Sequence, residues 1–402
     1  MLDQALYSLA SFVTGILLAR ALPTHAFGLY VVIVSLVVSA IGIQRALVTT
    51  PYTVLSASRG DDELRRCTGG ALLQHLVLAT LCAVACAAIA LQFDSQAAPW
   101  SVSAVVVLVA LGTLARDFVR GILLARLRVV ASLVTGVAVN LSQLAAVALL
   151  YAFERLTFVT ACLAIAIPSI AGAFASFAFN TGAAFRSVRP FAQLREQFTL
   201  GKWLLGGAVL GAVVAQSYLW LLGGMAGAAA VAAFGVASSF ANLPSPVLQG
   251  ASAFLLPRIV HSAGSPIRND IVRKVVKSGS TALSAVYLVW LAIGIAYGGA
   301  LLELLYSSKY ANLESVLVVL ILYGVVSAVM APISAALDAL KRSDVAFRST
   351  LVAGAAGTLA CLLLIPRWGA AGAAAGALLA NATMLGLRAW GLRAIVAKAA
   401  RS

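Results

Sequence analysis

Continuous apolar runs of membrane length constrain this chain more than any other feature. The first covers residues 5–22 and ends in Ala19-Arg20-Ala21-Leu22; a polar turn through Pro23, Thr24 and His25 follows, and a second run covers 29–51. Each holds roughly the twenty residues that cross a ~30 Å hydrocarbon layer at ~1.5 Å per residue. The pair reads as a membrane helical hairpin. Half a chain later a run over 200–222, a Gly/Ala turn and a run over 231–257 repeat the plan. In this echo Phe27-Gly28-Leu29-Tyr30 lies over Val231-Ala232-Ala233-Phe234, and Gln44 before Pro51 lies over Gln249 before Pro257.

With 62% of its 402 residues hydrophobic, 10% charged and a mean hydropathy of +1.01, the chain falls outside soluble globular domains, in which about a quarter of residues are charged. A membrane β-barrel would alternate in polarity over segments of about ten residues. These runs are unbroken, and a backbone in lipid must satisfy its own hydrogen bonds, so each span is a helix. The expected fold class is an all-α integral membrane protein with about twelve transmembrane helices. Six spans fall within an N-terminal lobe, 1–180, and six within a C-terminal lobe, 200–402, with a polar cytoplasmic linker over 181–199.

Charge tests that count. With a cytoplasmic N-terminus, 24 of the 28 Lys and Arg residues fall inside and only Arg20, Arg155, Lys309 and Arg367 fall outside, as the positive-inside rule requires. Both termini are then cytoplasmic, and the net charge of +15 reflects orientation of the spans, not nucleic-acid binding. An even number of spans per lobe makes the two repeats parallel. Small residues four apart, as in Gly207/Gly211, Gly294/Gly298 and Gly372/Gly376, predict close helix packing.

Several stretches together resemble polysaccharide flippases of the multidrug/oligosaccharidyl-lipid/polysaccharide exporter superfamily. They are Ala19-Arg20-x-Leu22 with Phe27-Gly28-x-Tyr30, then Leu243-Pro244-Ser245 leading to Leu255-Leu256-Pro257. Two more follow: Leu302-Glu303-Leu304-Leu305-Tyr306, and Ile365-Pro366-Arg367-Trp368-Gly369-Ala370-Ala371-Gly372-Ala373. The resemblance covers nearly the whole chain. It implies two six-helix lobes around a central cavity, and flipping of a polyprenyl-diphosphate-linked oligosaccharide across the cytoplasmic (inner) membrane. The product would serve lipopolysaccharide or exopolysaccharide biosynthesis, with membrane lipids, a glycan polymerase and export machinery as partners. Two departures stand out: the seventh helix reads Ser217-Tyr218-Leu219-Trp220 without the aspartate many relatives carry, and lipid II flippases usually have fourteen helices.

An ionisable group at mid-helix costs roughly 2.5–3.5 kcal/mol on insertion scales, so each is a functional candidate. Arg45, about 24 Å along the second helix from Leu29, either meets a diphosphate through paired hydrogen bonds or snorkels to the headgroups. Arg20 closes the first helix, where snorkelling is the simpler role. Gln44, Asn140, Gln143, Gln216 and Gln249 either line a hydrated, sugar-binding cavity or bond helix to helix. Asp117 near Arg120, and Asp338 four residues before Arg342, read as helix-end ion pairs, leaving no carboxylate at mid-membrane. His75, Cys82 and Cys86 share a helix stripe, but no partner cluster completes a metal site. No nucleophile triad and no Walker motif occur; no catalytic residue, metal or cofactor is expected.

Two other functions remain. A cation-coupled exporter of drugs or small solutes would have the same fold but needs an intramembrane carboxylate. A membrane glycan polymerase or ligase would want charged residues in a sizeable outer loop, and the outer loops are short and nearly uncharged.

Overall fold

The computed structural model describes residues 2–56, 61–93, 99–181, 190–261, 268–310, 312–340 and 342–399. Among these the chain is helical throughout. It comprises α1 (Leu2–Ala21), α2 (Thr24–Gln44), a π-helical turn (Arg45–Thr49), α3 (Thr50–Ser56), α4 (Asp61–Phe93), α5 (Pro99–Ala125), α6 (Val129–Ala152) and α7 (Phe158–Thr181). There follow α8 (Pro190–Ala241), α9 (Ser245–His261), α10 (Arg268–Tyr306), α11 (Glu314–Ala339) and α12 (Ser343–Ala399).

Nine stretches among the described residues are long and apolar enough to cross a membrane, and Ser8–Ala21 adds a shorter one. Two of the nine reverse direction on a single glycine, which brings the spans to the expected twelve. In α8 the break is Gly227 (φ 80°, ψ 175°) and in α12 it is Gly369 (φ 52°, ψ −123°). L-residues rarely adopt such conformations. The Tyr218 and Phe234 rings face each other across the α8 turn, centroids 5.4 Å apart. The arms of α12 are zipped along their length: Gly357 faces Ala380, Gly376 faces Cys361 and Gly391 faces Val345, each too close for a side chain at the glycine.

Compactness divides the chain into two units, Leu2–Gln216 and Ser217–Ser402. The helix α8 already begins at Pro190, within the stretch expected as linker, and its first arm up to Gln216 packs with the first unit. Gly201 on that arm lies against the backbone of Ala46 and Leu47.

Each unit is built around its fourth span. In the first, α5 packs against α4, α7 and α2; in the second, α11 packs against α10, α12 and α9. That shared hub supports the repeat read from the sequence. The small-residue expectation holds for Gly294 and Gly298, which admit Ile321 and Leu317 of α11, and for Gly372 and Gly376 inside the α12 hairpin. It fails at Gly207 and Gly211, which have no atom within 4 Å of a would-be Cβ. All five cysteines are buried and free.

The second-half echo of α2 is less faithful. The run expected over 231–257 breaks at 242–244 into the second arm of α8 and α9, because Pro244 and Pro246 have no N–H for the helical ladder. In the first half the helix is disturbed further along the run, at the π-turn.

A methyl group at Gly227 or Gly369 would meet no atom, so any penalty there is conformational. Gly227→Ala and Gly369→Ala should each lower unfolding free energy in mixed micelles by about 1–3 kcal/mol. Gly207→Ala, in a helical conformation with equally open surroundings, should be neutral or stabilising by up to ~1 kcal/mol.

Candidate functional site

The π-turn organises the polar interior of the first unit. Pro51 offers no N–H to the Leu47 carbonyl, and its ring crowds that oxygen, so a regular ladder cannot continue through it. The wider turn resolves the conflict: the Thr50 N–H bonds Arg45 O, five residues back. Arg45–Thr49 then lies between two glycines, with Thr49 against Gly121 of α5 and Leu47 against Gly201 of α8.

The residues flanking the start of this turn point to different partners. Gln44 is fully buried; its Nε2 donates to the Leu114 carbonyl at 3.2 Å, and its Oε1 lies 2.8 Å from His75 Nδ1. With the amide N–H engaged by Leu114, Oε1 is the acceptor and His75 donates from Nδ1. The imidazole stacks on Phe118, centroids 4.5 Å apart. Gln44 thereby ties α2 to α4 and α5. His75 is part of this tie, which accounts for it without the stripe it shares with Cys82 and Cys86.

Arg45 grips Asp117 with two parallel hydrogen bonds, Nε to Oδ2 at 3.2 Å and Nη2 to Oδ1 at 2.5 Å. The Asp117 side chain is 12% exposed and that of Arg45 56%. This corrects the sequence reading twice. Asp117 is clasped by an arginine 72 positions away. It also lies inside a membrane-length helix and not at a helix end, because α5 runs on to Ala125. Eight residues of helix beyond Asp117 put it about 12 Å from the end of α5. A carboxylate is therefore present within an apolar span.

Further arginines gather on the same helix. Arg116 Nη2 donates to Asn140 Oδ1 at 2.7 Å, joining α5 to α6. Just past the end of α5, Arg126 donates to the Tyr52 hydroxyl at 3.0 Å and to Thr68 Oγ1 at 2.7 Å. Tyr52 and Thr68 are fully buried. Lys202, next to Gly201 on α8, is exposed.

The other expected site residues are dispersed. Gln143 Nε2 donates to the Ile165 carbonyl and to Ser169 Oγ, both at 2.8 Å, a bond between α6 and α7. Arg20 ends α1, a helix length away from Arg45. Gln216 closes the first unit, and Gln249 sits on α9 of the second unit, exposed where its counterpart Gln44 is buried. In the second unit Asn381 donates to Ser327 Oγ at 2.7 Å and to the Tyr323 carbonyl. Arg388 donates to the hydroxyls of Ser334, Ser349 and Thr350. Arg342 pairs with Asp344 at 2.8 Å, and not with Asp338 as the four-residue spacing suggested; the carboxylate two residues on is better placed for a planar fork.

No protein-family profile and no curated sequence relative matches the chain. Solved structures do. An inward-facing multidrug resistance MATE family transporter of the MOP superfamily superposes with a TM-score of 0.81 at 14% identity, over 98% of this chain and 96% of that one. The lipid II flippase MurJ in an inward closed conformation gives 0.77 at 10% identity, over 98% and 87%. A eukaryotic MATE transporter, AtDTX14, gives 0.66 at 15% identity, over 96% and 93%. The chain thus has the fold of these transporters and of this flippase.

A double-mutant cycle on Arg45 and Asp117 measures the clasp. Asp117→Asn should destabilise more with Arg45 present than in an Arg45→Ala background. Because Arg45 is half-exposed, the coupling should be about 0.5–1 kcal/mol. A coupling indistinguishable from zero would mean the clasp contributes nothing to the folded unit.

Proposed function

We propose that this protein is a flippase that moves a polyprenyl-diphosphate-linked oligosaccharide across the cytoplasmic membrane for surface polysaccharide biosynthesis. Both termini are cytoplasmic in this reading. The observation that carries it is Arg45: a guanidinium within an apolar unit, set on a π-turn, half-exposed and held by a bidentate carboxylate. The two-pronged geometry with which it binds Asp117 is the geometry with which it would bind a phosphate.

Asp117 is then the counter-ion of the unloaded state. It stabilises Arg45 while no cargo is present, and the diphosphate replaces it or shares the fork. Arg116 and Arg120 flank Asp117 in sequence on α5, and Lys202 follows Gly201, which lies against Leu47 of the π-turn; these neighbours are basic, which favours an anionic cargo over a cationic one. Asn140 is occupied by Arg116 and positions that arginine. Gln143 acts between helices. Arg20, Gln216 and Gln249 remain candidate sugar or headgroup contacts. A glycan polymerase and export machinery would take up the product.

A second reading has one specific observation in its favour. Asp117 is an intramembrane carboxylate, the group a cation-coupled exporter of drugs or small solutes requires. Its engagement by Arg45 opposes that reading, since a cation would have to displace a charge-assisted two-bond partner from Asp117.

Substitutions at Arg45 separate the two. At matched amounts in the membrane, Arg45→Ala should reduce surface glycan by about tenfold or more, the worth of one charge-assisted bidentate contact. Arg45→Lys should recover part of it, keeping charge and losing the fork. Full surface glycan with Arg45→Ala would make the residue a structural partner of Asp117 and remove it from the transport path.

A further inference from the structure

The arms of the α12 hairpin end side by side, opposite the Gly369 turn, and between them lies a groove of about 430 Å³. Arg342, Asp344 and Arg348 form its polar rim; Val352, Leu387 and Ile395 line its apolar side; Trp390 stands over it. Nothing in the transport reading uses this groove. It is formed wholly within the second unit.

We propose that this groove holds the headgroup of an anionic glycerophospholipid, with the acyl chains running along the outer face of the first α12 arm. Three features of the hairpin support this. The first is position. A hairpin with both arms of membrane length has its open end at the boundary between hydrocarbon and water. Trp390 is 72% exposed there, as is characteristic of tryptophan at headgroup level.

The second feature is charge. Arg342 and Asp344 neutralise one another in a two-bond pair, 2.8 Å for each bond, which leaves Arg348 as the net positive group of the rim. Behind the groove floor, Arg388 donates to Ser349, Ser334 and Thr350, all neutral acceptors, with Asp338 within electrostatic reach. Ser349 itself lines the groove and donates to the Ala346 carbonyl. A phosphodiester fits this arrangement: its oxygens take the Arg348 fork.

The third feature is the path beyond the groove. Arg348, Val352, Leu359 and Leu363 fall on one stripe of the helix, and the three apolar side chains are 49–61% exposed. From Arg348 to Leu363 the stripe runs about 22 Å, enough to accompany an acyl chain through one leaflet, roughly half of the ~30 Å core. A soluble phosphate would gain nothing from this stripe, whereas a lipid uses both parts. The site needs only that the hairpin spans a membrane, and so stands apart from the identity of the cargo.

Native mass spectrometry of the full chain in a neutral detergent tests the assignment. The probes are phosphatidylglycerol, phosphatidylcholine with the same acyl chains, and free glycerol phosphate. Phosphatidylglycerol should bind about fivefold or more tightly than phosphatidylcholine, the worth of one arginine at an anionic membrane surface. Arg348→Gln should abolish that preference, Arg348→Lys should retain most of it, and Trp390→Ala should weaken both lipids alike. Equal binding of the two lipids, or a preference that survives Arg348→Gln, would overturn the proposal. So would displacement of the lipid by glycerol phosphate at equal concentration, which would mark a soluble-anion site. Unchanged melting temperatures for Arg348→Lys and Arg348→Gln make the comparison one of binding and not of folding.

Discussion

An arginine placed about 24 Å along an apolar helix must be given a partner, and much of the first unit follows from how Arg45 receives one. The partner, Asp117, comes from the hub helix α5. Bringing the two together at 2.5 Å fixes the register of α2 against α5. Gln44, one residue earlier, fixes the same register independently through Leu114 and His75. Because α5 also packs against α4 and α7, a contact made at one level of the bundle positions most of the helices around it. In lipid there is no water to satisfy a misplaced amide or guanidinium, so these bonds discriminate strongly against slipped packings.

The π-turn lets both contacts coexist. Gln44 and Arg45 are neighbours in sequence, yet one is wholly buried and the other half-exposed. Pro51 forces the ladder to widen just where the charge sits, and glycines at 121 and 201 leave room for the widened turn. The second unit reaches its reversals by a different device, glycines at positive φ. There the zipped α12 hairpin takes the place of a loop. The two units share a hub and an order of helices while differing in how they depart from regular helix.

Much of this was legible in the sequence. The spans were, because unbroken apolar runs of membrane length leave few alternatives. The α12 hairpin was as well, since Trp368-Gly369 between two apolar runs marks a turn even though the backbone stays helical up to it. The ion pair was not. The run Ala115-Arg116-Asp117 looks like the end of a span, and only packing against α2 and α4 shows that the helix continues through it to Ala125. The amides divide similarly: composition reveals polar residues in apolar helices, but whether Gln143 faces a cavity or bonds Ser169 depends on the neighbour helix. The π-turn left a signal, Pro51 inside an apolar run six residues after a charge, that periodicity alone does not resolve.

In the proposed transport cycle Arg45 and Asp117 are the anion-handling centre of a lipid-linked glycan flippase. Reconstitution tests it most directly. The purified chain in liposomes should bring a fluorescent polyprenyl-diphosphate oligosaccharide within reach of an external glycan-binding protein, and the Arg45→Ala chain in the same vesicles should not. Transport of a cationic dye against a proton or sodium gradient, lost with Asp117→Asn and untouched by Arg45→Ala, would contradict the account and make Asp117 the coupling carboxylate of an exporter.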